Sequence, residues 1–241
     1  MERLDKRLSQ AGFGRKEARE LIRQGRVAVD GEIAVQPEAK YPDNALITVD
    51  GQALAEGFVY LLLHKPGGYV SATEDKRERT VLELLPHDLR RRSLFPVGRL
   101  DKDTTGLLLL TDDGELAHRL LSPRYHVDKT YYVEVEGVFD EHDVAAFVAG
   151  MTLANGEVCR SAVLRPRGDS GYITLREGKY HQVKRMCAAR GKPVTALKRV
   201  AFGPLELDAS LEPGAFRALT DREVEALREA ARGLDTTPSS N

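Results

Sequence analysis

Apolar positions along this chain recur with two periods, and the changes of period mark the elements. Leu4 and Leu8 stand four apart among Arg3, Lys6 and Arg7, which predicts a first helix over residues 3–11. Gly12-Phe13-Gly14 breaks it, and a second helix is predicted over 15–24, stopped by Gly25. On that helix Arg15, Lys16, Arg19 and Arg23 share one arc, and Ala18, Leu21 and Ile22 share the next. One stripe suits burial and its neighbour suits anions. The period then falls to two. RVAVDGEIAV sets β-branched runs on both sides of Asp30-Gly31, and LITVDGQAL repeats the device at Asp50-Gly51. Asp-Gly between such runs is a hairpin signal. Ala55-Glu56-Gly57 reads as a linker.

Longer apolar runs follow. Strands are predicted over 59–64, closed by Lys65-Pro66-Gly67-Gly68, and over 106–111, ended by an Asp112-Asp113-Gly114 turn. Two more are predicted over 129–138 and 172–175. Helices are predicted over 115–121, 142–149 and 181–190, the last with Val183, Met186 and Cys187 on one face and Gly191 as its stop. Thr220-Asp221-Arg222-Glu223 is a capping box. It opens a final helix that buries Val224, Leu227 and Ala231 and ends before Gly233. Strands are frequent, helices are irregularly placed, and no repeat is visible. The fold class is therefore α+β, with a mixed or antiparallel sheet. The expected division is a helix-helix-hairpin domain over 1–56, a larger domain over 58–233, and a loose tail over 234–241.

Composition narrows the class. The chain has 241 residues, 41% of them hydrophobic, with 30% charged residues of mixed sign; that excludes a disordered or fibrous chain. Cys159 and Cys187 are far apart and read as buried reduced thiols. The start, MERLDKRLSQ, is charged from its second residue and has no signal-peptide pattern. No apolar run, 107–110 included, exceeds six residues, far short of a membrane span. The expectation is a soluble cytoplasmic protein with no membrane partner, a monomer by default. Net charge is −1, but it is unevenly spread. Residues 1–26 hold eight basic and four acidic residues, and residues 176–200 hold eight basic and one acidic. Two such patches suit a polyanion; two solvated helical faces explain them equally well.

Candidate chemistry centres on Gly98-Arg99-Leu100-Asp101-Lys102-Asp103-Thr104-Thr105-Gly106-Leu107. Asp101 lies in a polar loop just before a buried strand, where catalytic side chains gather. From spacing alone, a turn in which Asp101 caps its own backbone is the stronger reading. Asp112 and Asp113 read as a turn rather than metal ligands. The six His form no i, i+4 pair and no cluster with Cys, which speaks against zinc. No Walker or dinucleotide fingerprint occurs. No metal or cofactor is expected.

One stretch and four further motifs carry two resemblances. RLDKRLSQAG with RKEARELIRQGRVAVDGE resembles the S4 RNA-binding domain. This implies RNA contacts from Arg3, Lys6, Arg7, Arg15, Lys16, Arg19, Arg23 and Arg26. GRLDKDTTGLLLLTDDG resembles the central motif of pseudouridine synthases, in the branch that also carries an S4 domain, and implies Asp101 as the catalytic carboxylate. Lys65-Pro66-Gly67 resembles that family's opening motif. Lys129-Thr130-Tyr131 resembles its Lys-x-Tyr segment, which implies that Tyr131 packs on the target base. EGKYHQVKRM resembles its third motif and implies that Lys184 pairs with the catalytic Asp. The wording of that motif is closer to the small-subunit type A branch, implying a uridine of 16S ribosomal RNA, naked or in an assembly intermediate. The resemblance spans essentially the whole chain.

In the implied reaction uracil leaves its N1 bond to ribose, rotates, and rejoins through C5. A carboxylate serves by attacking C1′ or by taking a proton from C2′; both routes stay open. Burial raises a carboxyl pKa from about 3.9. At ~4 Å and an effective dielectric near 20, Lys184 opposes that with roughly 4 kcal/mol. Flipping the base out costs a few kcal/mol, and the Arg99 guanidinium is suited to stack in the vacated space. Lys102, Thr105, Lys179, His181, Gln182 and Arg185 are the other expected RNA contacts, with Thr104 and Thr105 also shaping the loop. By pattern alone Tyr131 is equally a core aromatic, Lys184 a solvated lysine, and His181 and Gln182 helix caps. Two other functions fit parts of the chain: a non-catalytic RNA-binding or ribosome-assembly factor, and a glycosidase-like hydrolase with a second carboxylate about 5–9 Å away. The intact Asp101, Tyr131 and Lys184 set favours the isomerase, and no second acid is singled out.

Overall fold

Leu4, Leu8, Ala18, Leu21 and Ile22 close on Val27, Val29 and Ile47 as the core of a first unit. In this computed structural model, residues 1–42, 45–54, 57–90, 92–122, 124–125 and 127–232 are described. The helices Leu4–Gln10 and Arg15–Arg23 lie within a residue of the predicted bounds. Four short antiparallel strands follow, in the order Glu32–Ile33, Val27–Val29, Ile47–Val49, Gln52–Ala53. Both predicted hairpins turn as expected. Asp30 and Asp50 each sit at φ 51°, followed by glycines at φ 89° and 78°, the double positive φ of a type I′ turn. Arg7 donates to the carbonyls of Pro42 and Ala45, so its guanidinium braces the unit. Of the predicted linker only Gly57 is described; Ala55, Glu56 and the tail over 234–241 lie outside the described residues.

The second unit is built on one mixed sheet. Its order is Val163–Arg167, Ser170–Leu175, Lys129–Val135, Val194–Phe202, Thr105–Thr111, Tyr60–Lys65, Phe216–Ala218. Side chains alternate between faces, and both faces are covered. Leu61, Leu63, Leu108 and Leu110 enter one core with Tyr131, Phe147 and Met186. Tyr60, Leu62, Leu107 and Leu109 enter the other with Leu116, Phe202 and Leu227. Burial on both faces is why these strands read as unbroken apolar runs. The helices Gly114–Leu121, Glu141–Ala149, Gln182–Ala189 and Asp221–Ala230 supply the cover. Among the described residues no helix is long and apolar enough to cross a membrane. Cys159 and Cys187 are free and buried, and burial pushes the Cys187 thiol up to about 12.

Several expectations need correction. The central strand Val194–Phe202 is absent from the predicted set, as are Val163–Arg167 and Phe216–Ala218. The strand predicted to residue 138 ends at Val135. Asp112 and Asp113 do more than turn the chain. Asp113 caps the following helix through Leu116 N and accepts a hydrogen bond from Tyr60 Oη at 2.7 Å. Asp112 is buried, pairs with Arg92 at 2.7 Å and accepts from Val59 N. Burial raises its pKa, against the pull of Arg92. The first unit docks here: Ser93 N donates to Gly12 O at 3.0 Å.

Neighbouring strands of this sheet run antiparallel except Val194–Phe202 beside Thr105–Thr111, which pair in parallel through Lys198–Thr105 and Arg199–Gly106. At that pairing Gly106 has φ 103°, and a Cβ there would stand 2.2 Å from Arg199 O. Only glycine fits. Beside it, the wholly buried Lys65 donates from Nζ to the carbonyls of Pro66, Lys102 and Thr104 at 3.1, 3.3 and 2.8 Å. Burial lowers its pKa to about 8.

Two outcomes follow. Gly106→Ala is expected to destabilise the protein by about 3 kcal/mol or more, measured by urea unfolding; a loss below about 1 kcal/mol means the close approach is not obligatory. Lys65→Met leaves carbonyl acceptors unsatisfied and is expected to cost about 1–3 kcal/mol at pH 7. The folded lysine gives up its proton near 8 and the unfolded one near 10.4. Across that window the unfolded chain binds more protons, so this group's contribution rises with pH. The stability gap between wild type and Lys65→Met should therefore widen from pH 7 to pH 10; a constant gap contradicts the depressed pKa.

Candidate active site

The loop entering Thr105–Thr111 is clamped from below. Ser71 bonds both the carbonyl and the amide of Leu100, Gly68 N donates to Lys102 O, and Thr104 N donates to Asp101 O. With Lys65 these bonds turn the Asp101 carboxylate toward the helix Gln182–Ala189. Its side chain is 29% exposed, partly sheltered rather than facing bulk solvent. Lys184 Nζ lies 3.5 Å from Asp101 Oδ2, and His181 Nε2 lies 3.5 Å from Asp101 Oδ1. Lys184 is closer to Asp103, at 2.6 and 2.8 Å, and its hydrogen bonds hold the Asp103 carboxyl below the usual range. Lys184 does lie beside Asp101, but its ammonium is shared by two carboxylates.

Asp101 opens onto a cleft of about 70 Å³, lined also by Arg99, Thr104, Tyr131, His181 and Leu197. Tyr131 belongs to the apolar core and also lines this cleft. Arg99 is exposed at the rim. Thr104 shapes the loop through its backbone, while its buried hydroxyl has no hydrogen-bond partner. Thr105 Oγ1 reaches Leu197 O only at 3.5 Å.

The segment before the helix is stiff. Gln182, expected to touch RNA, is buried: its amide oxygen accepts from Lys179 N at 3.1 Å and its nitrogen donates to Glu177 at 2.7 Å. His181 is the N-cap residue in the left-handed region, φ 48°, ψ 34°. Tyr180, which sequence reasoning passed over, is 76% exposed and stacks on the His181 ring.

The basic patches are partly spent inside the protein. Arg190 and Lys192 hold the buried Asp143, Arg176 pairs with Asp128, and Arg185 with Glu157. Lys179 faces Glu157 and Glu177, and Lys102 pairs with Glu78. Arg199 is buried and donates to Leu107 O. In the first unit Arg3 and Arg19 meet Asp5, Lys6 meets Glu2 and Arg26 meets Asp50. Arg15, Lys16 and Arg23 remain on the exposed arc. A larger hollow of about 1150 Å³ lies between the two units, lined by Arg15, Arg19, Arg119 and Arg228 but also by Asp5, Asp112 and Glu115. Its charge is mixed, and it shares no lining residue with the small cleft. Among the described residues no three His, Cys, Asp or Glu converge as a metal set.

Comparison with known proteins agrees with this geometry. Residues 59–189 match the RNA pseudouridylate synthase family, and residues 2–42 match the S4 domain. An RNA pseudouridine synthase of Bacillus subtilis is 44% identical over 94% of this chain and 98% of its own. The ribosomal small subunit pseudouridine synthase A of Escherichia coli K12 is 42% identical over 92% of this chain and 98% of its own. A crystal structure of a pseudouridylate synthase superposes with a TM-score of 0.68 at 38% identity, covering 94% of this chain and all of that one. The chain belongs to the RNA pseudouridylate synthase family, with an S4 domain ahead of the synthase fold.

Proposed function

We propose that this pseudouridine synthase acts on one uridine of 16S ribosomal RNA and that Asp101 carries the chemistry. The observation behind the assignment is convergence: the carboxylate, Tyr131 and His181 line one cleft from three separate segments, and Lys184 stands 3.5 Å from the carboxylate. The similarity to a relative named for the ribosomal small subunit supports the choice of RNA.

The bond from C1′ to N1 breaks, uracil turns within the cleft, and C1′ joins C5. C5 then loses its proton and N1 gains one, so atoms and charge balance without an oxidant or a second substrate. Asp101 either bonds C1′ and is later displaced by C5, or takes the C2′ proton and returns it. Lys184 holds its ammonium 3.5 Å from the carboxylate in either route. Tyr131 bears on the face of the uracil. Arg99 stacks where the base was extruded. Ligand pockets run from ~300 Å³ upward, so admitting the nucleoside widens the 70 Å³ cleft. We place the boundary between the two working units at 56–58, with the S4 unit (1–56) holding RNA through phosphates and residues 58–233 performing the isomerisation.

Deleting the protein from its host is expected to remove one pseudouridine from small-subunit RNA, and Asp101→Asn is expected not to restore it while keeping RNA affinity within a few-fold. Restoration of the modification by that variant removes Asp101 from the mechanism; an unchanged map removes the 16S assignment. Replacing Arg15, Lys16 and Arg23 together by Gln should lower the slope of log affinity against log salt by about 2. An unaltered slope refutes phosphate contacts along that arc.

A further inference from the structure

Tyr180 is 76% exposed, and its ring lies on the His181 ring at 3.8 Å between centroids and 18° between planes. One face of the phenol is therefore covered and the other is open. The covering ring is fixed. His181 adopts a left-handed backbone, and its Nε2 lies 3.5 Å from Asp101 Oδ1. The chain on either side is pinned as well: Arg185 donates to Tyr180 O at 3.2 Å, and Gln182 binds Lys179 N and Glu177. A non-glycine residue persists in that conformation only where its surroundings over-determine it, which is a mark of functional sites. The result is an immobile aromatic surface, one ring thickness from the residue beside the catalytic carboxylate, set among Lys179, Lys184 and Arg185.

We propose that the open face of Tyr180 receives a nucleobase of the substrate RNA adjacent to the target uridine. The inference rests on the RNA-modifying reading above and adds a contact to it. Every base presents a π face, so stacking holds the strand without demanding a sequence. The rigid backing of His181 means that little ordering cost falls on the protein when the base arrives. The stacked pair fixes the flanking nucleotide at the lip of the cleft, and the flipped uridine is then delivered toward Asp101.

The chain contains no Trp, so Tyr180→Trp introduces a single indole reporter. Its emission is expected to be quenched saturably by a 16S RNA fragment containing the modified site. Tyr180→Ala is expected to weaken that RNA about ten- to a hundred-fold and to raise KM, with single-turnover rates at saturating RNA within a few-fold of wild type. Tyr180→Phe should recover most of the affinity. The side chain is exposed, so the thermal midpoint of the Ala variant should match wild type. If wild type binds the fragment while the Trp signal stays flat or Tyr180→Ala binds equally well, the stacking contact is wrong and the enzyme reading stands. If wild type itself binds no small-subunit RNA, both fall together.

Discussion

The architecture turns on one close approach of backbone to backbone, at Gly106 and Arg199. Antiparallel strands on either side bring two halves of a sheet to this line, and the halves join in parallel over Lys198–Thr105 and Arg199–Gly106. The absence of a side chain at Gly106 permits it. The residues of the candidate site are arranged about that join. The Asp101 loop leads into one of the two strands, the helix Gln182–Ala189 precedes the other, and Tyr131 comes from the next strand along. Arg199 secures the line by donating to Leu107 O from a fully buried position. A protein seldom buries an arginine without a carboxylate; here a backbone acceptor and the face of Phe202, 5.2 Å away, stand in for one.

Around this join the charges are shared rather than matched in pairs. Lys184 serves Asp103 more closely than Asp101, and His181 approaches Asp101 from its other oxygen. Asp103 is exposed, so solvent screens its hold on the ammonium. Asp101, more sheltered, keeps a weaker contact with two donors. The carboxylate thus lies 3.5 Å from both Lys184 and His181 without being locked in a short ion pair, which leaves it free to change partners.

Apolar period made the strands Tyr60–Lys65 and Thr105–Thr111 legible, because both faces are buried and the runs 60–63 and 107–110 are wholly apolar. The capping box at Thr220 and the Asp-Gly hairpins were legible from local chemistry. The strand Val194–Phe202 was not. Its sequence, VTALKRVAF, places Lys198 and Arg199 in mid-run, and a buried arginine looks from sequence like part of a basic surface. The same confusion inflated the patch over 176–200, whose Arg190 and Lys192 are committed to Asp143. Asp101 was legible only through its resemblance to a family motif, since a turn-capping Asp has the same spacing. Tyr180 went unremarked because exposure, which makes it interesting, is a property of the fold.

The order of synthesis gives the same join another meaning. Arg199 meets Leu107 across 92 residues of chain. A growing polypeptide completes Thr105–Thr111 long before its neighbour leaves the ribosome, and the far edge of Tyr60–Lys65 waits longer still for Phe216–Ala218. Until then two apolar strands keep open hydrogen-bonding edges, the state most exposed to mispairing. The cleft is consequently among the last parts of the molecule to exist, and a truncated translation product carries the reactive loop without the helix and the strand that give it a purpose.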